Sequence, residues 1–592
     1  MSGPGRIRLV EAMGNEREAY VCLSHCWGRH QLLRTLTSNL ESHKTKIAWE
    51  KLPQTFKDAI EITRRLGVRY IWIDSLCIVQ DDQQDWREEA AKMASIYQGS
   101  FLVISATRSP DSSGGLYTDF PDEFRARTIT IPAERTGSDP GEDEKVHVRR
   151  SLTHPKGLFN SYSAQPASLP TLKRGWIFQE RFLSPRILHF GPEELSWECL
   201  EMSTCQCTVD DDDDKDRSNK KYKHMIDRAA RPKSYYNFPR WRDTLSLSDT
   251  GLMTCWHHLV EDYTQLLLTY EKDIFPAVAG LARQMQLARQ KSPTSGQYAA
   301  GLWADTLAMD LLWYVIDPTP SLSLQGTPSG QPSENEDDIR DWTKRPASWR
   351  APTWSWASVL APVKFIDVSP SPAHTFEPCC EVLNVCCRPA GPDPMGELMP
   401  PVTALADNST TEKRQNSVQY NSYITLKGRL ISTELRLKPE PTNHRGVKFS
   451  RPKPWTMVEL GVLQGHTTNV WADDGCSGLF ELPSSSSSFL TNGGSCAARE
   501  SVPCFLLHIG RKRPSRHGSS PTLYFLILAT TPGNVDSGSE PSSTTTRIVH
   551  RRIGLAEVFG GPPGKGSDAW VDELLAKVED GLVEGGSIIT VV

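Results

Sequence analysis

The sequence predicts an α/β N-terminal domain with a mostly parallel sheet, then a helical region, then a mostly β C-terminal domain. Three observations carry this. Between Tyr20 and Ser105, short runs of β-branched and aromatic residues alternate with helical patterns. Helical periodicity dominates from about 250 to 315. From 365 onward it gives way to short alternating or apolar runs separated by turn residues.

The first strand is expected at Tyr20–Leu23, ending in Ser24-His25-Cys26-Trp27-Gly28. A weak stripe of Leu32, Leu33, Leu36 and Leu40 predicts a short helix and loop over 29–51. Leu52, Phe56, Ala59, Ile60, Thr63 and Leu66 then line one face of a helix, with Pro53 in its first turn and Gly67 as its stop. Val68–Ile73 suits a buried strand that ends at Asp74. A helix follows over about Asp82–Tyr97, where Trp86, Ala90, Met93 and Tyr97 make one face apolar. Asp85, Glu88 and Glu89 sit early in it, near the positive end of the dipole, and Gly99 closes it. Phe101–Ser105 is the next strand. Strand–helix–strand with this spacing favours parallel pairing. Ligands of such sheets sit beyond the carboxyl ends of the strands, which is where Ser24 and Asp74 fall.

Residues 107–170 are rich in Ser, Pro, Asp and Gly and read as an insertion, with TITIPA (128–133) and VHVRR (146–150) as edge strands. Arg174–Phe182 reads as a helix, and RILHF (186–190) with LSWEC (195–199) as a hairpin across GPEE. The aspartate run 210–214 reads as a solvated loop. Helices are expected around Trp256–Leu267, from Pro276 onward, and over Trp303, Leu307, Leu311 and Leu312. Residues 318–347 are a Ser/Pro/acid-rich insertion, and 388–418, 484–488 and 537–546 read as loops. Strands are expected within 376–387, 423–430, 456–463, 504–509, 523–529 and 548–556, forming an antiparallel or sandwich-like layer. A helix at Asp568–Lys577 and the strand SIITVV end the chain.

Over 592 residues, the net charge of -5 and pI near 6.3 include no basic domain, so nucleic acid is not the expected partner. No run of about 18 apolar residues and no apolar signal region is present, so no membrane span is expected. Fourteen cysteines without a signal peptide read as reduced thiols in a cytoplasmic protein. No P-loop and no solenoid period is present.

YVCLSHCWG (20–28), LPQTFKDAIEITRRLGVRYIWIDSLCIVQDDQQDWREEAAKMASIY (52–97) and RGWIFQERFLSPRILHF (174–190) resemble, in order, the three blocks of the fungal heterokaryon-incompatibility (HET) domain. DIFPAVAGLARQ (273–284), YAAGLWADTLAMDLLW (298–313) and RAPTWSWASV (350–359) resemble the continuation of large HET proteins. The resemblance implies a HET domain over 1–209 with the 107–170 insertion, a helical region over 210–364 and a β domain over 365–592. Such proteins often carry a longer leader, so a shortened start is expected here. The resemblance further implies a TIR-like, Rossmann-like sheet. It also implies an effector role in non-self recognition and regulated cell death, with protein partners and homo-oligomers. Two other roles follow from it: NAD glycohydrolase activity, with NAD as substrate rather than cofactor, or a non-catalytic self-association module.

The candidate site residues divide by chemistry. Asp74 closes a strand, where an acid suits a ribose hydroxyl or a metal, or else a helix N-cap or a buried hydrogen-bond hub. By the TIR likeness, Glu89 is the helix carboxylate that faces an oxocarbenium-like transition state; the bland alternative is a surface pair such as Glu88 with Lys92. Ser24, Trp27, Gly28, Cys77, Gln80, Arg174 and Glu180 are expected around a ligand as family-block residues. For Arg174, Gln179 and Glu180 the favoured reading is a structural ion pair that holds the third block, with phosphate recognition as the alternative. Ser24-His25-Cys26 lacks a G-x-S-x-G elbow, and adjacent strand residues point to opposite faces, which argues against a hydrolase pair. Cys199, Cys205, Cys207 and His189 have no standard zinc spacing, and no metal site is expected.

Overall fold

The computed structural model describes residues 7–11, 18–28, 33–118, 122, 125, 127–131, 144–148, 169–206, 249–289, 296–316, 345–369, 371, 374–403, 418–437, 458–460, 463, 467–473, 501–514, 521–532, 534–535, 548–560, 571, 574 and 587–592. The aspartate run 210–214, residues 318–344 of the acid-rich insertion, the 484–488 and 537–546 loops and most of the 568–577 helix lie outside these residues. The chain forms two compact units, Met1–Asn237 and Phe238–Val592.

In the first unit, β1 (Tyr20–Ser24), β2 (Tyr70–Ile73) and β3 (Leu102–Ser105) are short apolar strands. β4 (Arg127–Ile131) and β5 (Glu144–Val148) form a separate antiparallel pair. β6 (Arg186–Phe190), β7 (Leu195–Cys199) and β8 (Ser203–Cys205) complete a six-stranded sheet of order β2-β1-β3-β6-β7-β8. β1 pairs in parallel with β2 and β3, and β3 with β6. β7 and β8 then run antiparallel, so the sheet is mixed rather than wholly parallel.

The helices explain the order. α1 (Leu40–Thr45) is one short piece of the 29–51 region. α2 (Gln54–Arg65) starts after Pro53, whose φ of -60° suits entry into a helix. It buries Phe56, Ala59 and Ile60 with Val21, Leu23, Leu102 and Ile104 on one sheet face. After α3 (Asp74–Cys77), α4 (Gln83–Gly99) is capped by Asp82, whose carboxylate accepts from the Gln84 and Asp85 amides. Its Met93 and Tyr97 pack with Cys22 and Val103 on the opposite face. α5 (Gly175–Leu183) joins it there, with Trp86 and Trp176 edge to face at 6.3 Å. Period-two alternation in β1 and β3 thus feeds two separate cores. Each fully buried side chain such as Phe56 contributes about 1.5–3 kcal/mol.

In the second unit, helices Asp249–Tyr263 and Pro276–Arg289 stand at the expected places. The helix expected across Trp303–Leu312 does not form as such. Only Leu307–Asp310 is α-helical, while Leu302–Trp303 pairs with Tyr298–Ala299 across an Ala300-Gly301 turn, both turn residues having positive φ. Trp313–Val315 pairs in turn with Val363–Phe365. Tertiary pairing overrides the 3.6-residue spacing here, helped by Asp310, whose carboxylate accepts from the Trp303 amide at 2.8 Å. The C-terminal part is mostly β, as expected, and its long strands join one ten-stranded sheet. Its centre is Ser501–Pro514, Thr522–Pro532 and Ile548–Gly560, all antiparallel. No helix among the described residues is long and apolar enough to cross a membrane.

Candidate functional site

The chain passes from β1 to β2 on one side and returns across β1 to β3 on the other, so the direction of winding reverses between β1 and β3. A cleft for ligands opens at the carboxyl ends of strands at such a reversal. Leu23 is paired with Ile73, and Ser24 with Ser105. The residues that follow these positions therefore gather at one edge.

Asp74 opens α3 at this edge. Its Oδ2 accepts from Trp27 Nε1 at 2.7 Å and its Oδ1 from the Ser75 amide at 2.7 Å. His25 Nδ1 lies 3.7 Å from Oδ1, beyond hydrogen-bond range. The Gln80 side-chain amide donates to the Asp74 and Ile78 carbonyls, both at 3.1 Å, and so clamps the turn. Arg174 donates through Nη1 to the His25 carbonyl at 2.7 Å, tying the third block to the first. Cys26 Sγ lies 3.5 Å from Thr171 Oγ1, and burial pushes its thiol above the ordinary range.

Glu180 projects from α5 into this edge and is 4% exposed. Burial, and then the charge of Asp74, push its carboxyl up to about 7, against the Ser24 and Tyr97 hydroxyls and the Arg174 guanidinium, which favour ionisation. The two hydroxyls face the carboxyl without completing a hydrogen bond to Oε2. Tyr97 donates instead to the Leu23 carbonyl at 3.4 Å. The unfolded carboxyl loses its proton near pH 4.5 and the folded one near 7. The native state therefore binds more protons in that window, and this group's contribution to stability falls as pH rises through it.

The edge holds a set of buried polar atoms without partners: Ser24 Oγ, both ring nitrogens of His25, Ser75 Oγ and Glu180 Oε2. Buried polar atoms are ordinarily hydrogen-bonded, and leaving one unsatisfied costs about 1–3 kcal/mol. Burial lowers the His25 pKa despite nearby Asp74, so its ring, held edge-on to Phe56 at 5.0 Å, is neutral at pH 7.

The expected site residues divide accordingly. Ser24, Trp27, Asp74 and Glu180 converge, with Arg174 bracing the loop that carries Trp27. Gly28 has φ +76°, and a Cβ there would lie 2.2 Å from Asp111 Cβ. Gly28→Ala is therefore expected to cost about 2 kcal/mol or more in urea denaturation; a loss under 0.5 kcal/mol would remove the need for glycine. Cys77 is not a nucleophile at neutral pH: burial pushes its thiol up to about 12, with the negative charges of Asp74 and Glu89 adding to the effect. Glu89 thus lies within electrostatic reach of the Asp74 edge, yet its carboxylate pairs with Lys92 Nζ at 2.7 Å. The expected Glu88–Lys92 pair is replaced by this i,i+3 pair, and Glu88 accepts from Gln84 Nε2 at 3.1 Å. No ion pair joins Arg174 and Glu180 among the described residues.

Sequence reasoning passed over Ser75 and took Tyr97 for a packing residue. Ser75 follows Asp74 directly at the strand end, and Tyr97 reaches the edge because α4 packs against β1. Beside the site runs a fully paired network. Arg181 donates to Glu198 through Nε and Nη2, both at 2.7 Å. His189 lies between Glu198, at 3.4 Å, and Thr107, at 3.0 Å. His189 thus belongs to this buried network.

The Ser24–Trp27 loop, Asp74 and Glu180 come from three separated stretches, all inside the span that a family model matches. That model, described as Heterokaryon incompatibility protein (HET), matches residues 20–180. No curated protein and no solved structure matches the chain. Residues 20–180 are therefore a heterokaryon-incompatibility domain, and the chain is a HET-domain protein.

Proposed function

We propose that the N-terminal unit is the effector of a non-self recognition response that ends in regulated cell death, and that it acts by cleaving the nicotinamide–ribose bond of NAD at the strand-end cluster. The observation that carries this reading is the set of buried, unpartnered polar atoms on Ser24, His25, Ser75 and Glu180 around Asp74. A packed structural corner would pair such atoms; a site that receives a hydroxyl-rich substrate leaves them waiting. In the cleavage, the ribose carbon takes on positive charge as the bond to nicotinamide stretches. The Asp74 carboxyl group, with Glu89 on the neighbouring helix, faces that developing charge. The Ser24 and Ser75 hydroxyls suit the ribose hydroxyls.

The test is nicotinamide release from NAD by the full chain at several protein concentrations. Asp74→Asn and Glu89→Ala, each shown to be folded by circular dichroism, are expected to lower turnover at least about 100-fold. Absence of turnover in the wild-type chain, with self-association present, would instead make the domain an interaction module. Turnover unchanged in both variants would move the chemistry away from this edge.

A further inference from the structure

We propose that Glu180 is the general base of this site, the carboxylate that takes the proton from the water attacking the ribose carbon. This role rests on the NAD-cleaving reading above. Neither of the two carboxylates expected from the sequence suits the task. Both oxygens of Asp74 already accept hydrogen bonds, from Trp27 Nε1 and the Ser75 amide. Glu89 is held by Lys92. Glu180 alone of the three presents a buried oxygen, Oε2, with no partner.

The neighbouring residue on α5 provides an internal comparison. Arg181 lies next to Glu180, yet its guanidinium forks onto Glu198. Glu198 is as deeply buried and is fully paired; Glu180 has no such cation. A buried carboxyl with no cation hydrogen-bonded to it is a poor structural device, since a glutamine would fill the same space without a charge to desolvate. Each element around Glu180 contributes a facing group. These are Asp74 at the start of α3, Arg174 before α5, Tyr97 from α4, and Cys22, Ser24 and Cys26 from β1 and its loop. Burial keeps both thiols and the phenol un-ionised near neutral pH, so Asp74 and Arg174 are the charges that poise Glu180. A base poised near the operating pH is the efficient kind.

The chemistry balances. A water oxygen bonds to the ribose carbon and one water proton passes to Glu180 Oε2. The carbon–nitrogen bond breaks, and its electron pair neutralises the pyridinium nitrogen. Nicotinamide leaves uncharged and needs no acid. The positive charge of the substrate thus ends as the proton on Glu180, which is then released to solvent.

The experiment measures NAD cleavage by the full chain from pH 5.5 to 9 for the wild type and Glu180→Gln, with ADP-ribose binding followed by calorimetry. Wild-type kcat is expected to rise about tenfold per pH unit below about 7 and to level off above it. Glu180→Gln is expected to lower kcat about 100-fold or more, abolish that rise, and leave ADP-ribose affinity within about threefold. Azide attacks without losing a proton, so it is expected to restore turnover in Glu180→Gln. A wild-type profile flat across this range, a variant within about threefold of wild type, or a failure of azide to restore turnover overturns the role of Glu180 while NAD cleavage stands. No wild-type turnover overturns both readings. If Glu180→Gln does not fold, the wild-type profile and Glu180→Asp decide the matter, the latter being expected to keep the rise with a reduced kcat.

Discussion

Arg181→Ala is expected to destabilise the N-terminal unit by about 3–5 kcal/mol, enough to leave much of it unfolded at 37 °C. The guanidinium and the Glu198 carboxylate are both fully buried and are joined by two hydrogen bonds of 2.7 Å. Removing the cation leaves a fully buried carboxylate with the His189 ring 3.4 Å away. The cost is the desolvation of that orphaned charge, which exceeds the net worth of the intact pair. Arg181→Met with Glu198→Leu is therefore expected to recover most of the loss. Acid separates this mechanism from simple loss of packing. Burial opposes ionisation of Glu198, but the Arg181 guanidinium outweighs it and holds the carboxyl below the ordinary range. This contribution to stability is present above about pH 4.5 and is lost as pH falls toward the depressed native value. In Arg181→Ala the sign reverses, since the buried carboxyl then resists ionisation and acid narrows the deficit. Urea denaturation at pH 7 and pH 4 measures both. A deficit below about 1 kcal/mol at pH 7, or one that widens in acid, would refute this account.

Arg552→Ala is expected to cost a similar amount, about 3–5 kcal/mol, in the C-terminal unit. Arg552 sits in strand Ile548–Gly560 with no solvent exposure. Its Nε donates to Asp473 Oδ2 at 3.0 Å and its Nη1 and Nη2 to the Leu311 and Trp313 carbonyls at 2.7 and 2.5 Å. The guanidinium carbon lies 3.4 Å from the Trp313 ring centroid. One side chain thus joins the long sheet to the end of the short helix Leu307–Asp310 and to the strand Trp313–Val315. Alanine would leave Asp473 without this partner and two buried carbonyls without donors. Arg552→Lys keeps the charge but not the planar fork, so it is expected to recover less than half of the loss. Thermal unfolding followed by differential scanning calorimetry measures both variants. Full recovery by lysine would show that charge, not geometry, matters.

Several features were legible from residue order alone because local physics decides them. The β-branched runs at Tyr20, Tyr70 and Leu102, the apolar stripe through Phe56 and Ile60, and that through Trp86 and Met93 each specify an element within one turn or a few residues. Strand–helix alternation then implies parallel pairing, so the places of Ser24 and Asp74 at strand ends followed as well. Tertiary structure decided what depends on partners distant in the chain. Lys92 has Glu88 and Glu89 within reach on one helix; it pairs with Glu89, while Glu88 accepts from Gln84. The Trp303–Leu312 spacing suits a helix until strand partners at Tyr298–Ala299 and Val363–Phe365 take its two ends. Glu180 and Glu198 are both acids in or near the third block, and residue order does not distinguish them. Depth and the direction of one guanidinium make Glu198 a paired structural anion and leave Glu180 buried beside Asp74 with an oxygen free. Pattern reports which face of an element is apolar. It does not report whether a buried charge meets its counter-charge, because that depends on side chains brought together only after the sheet and helices have packed.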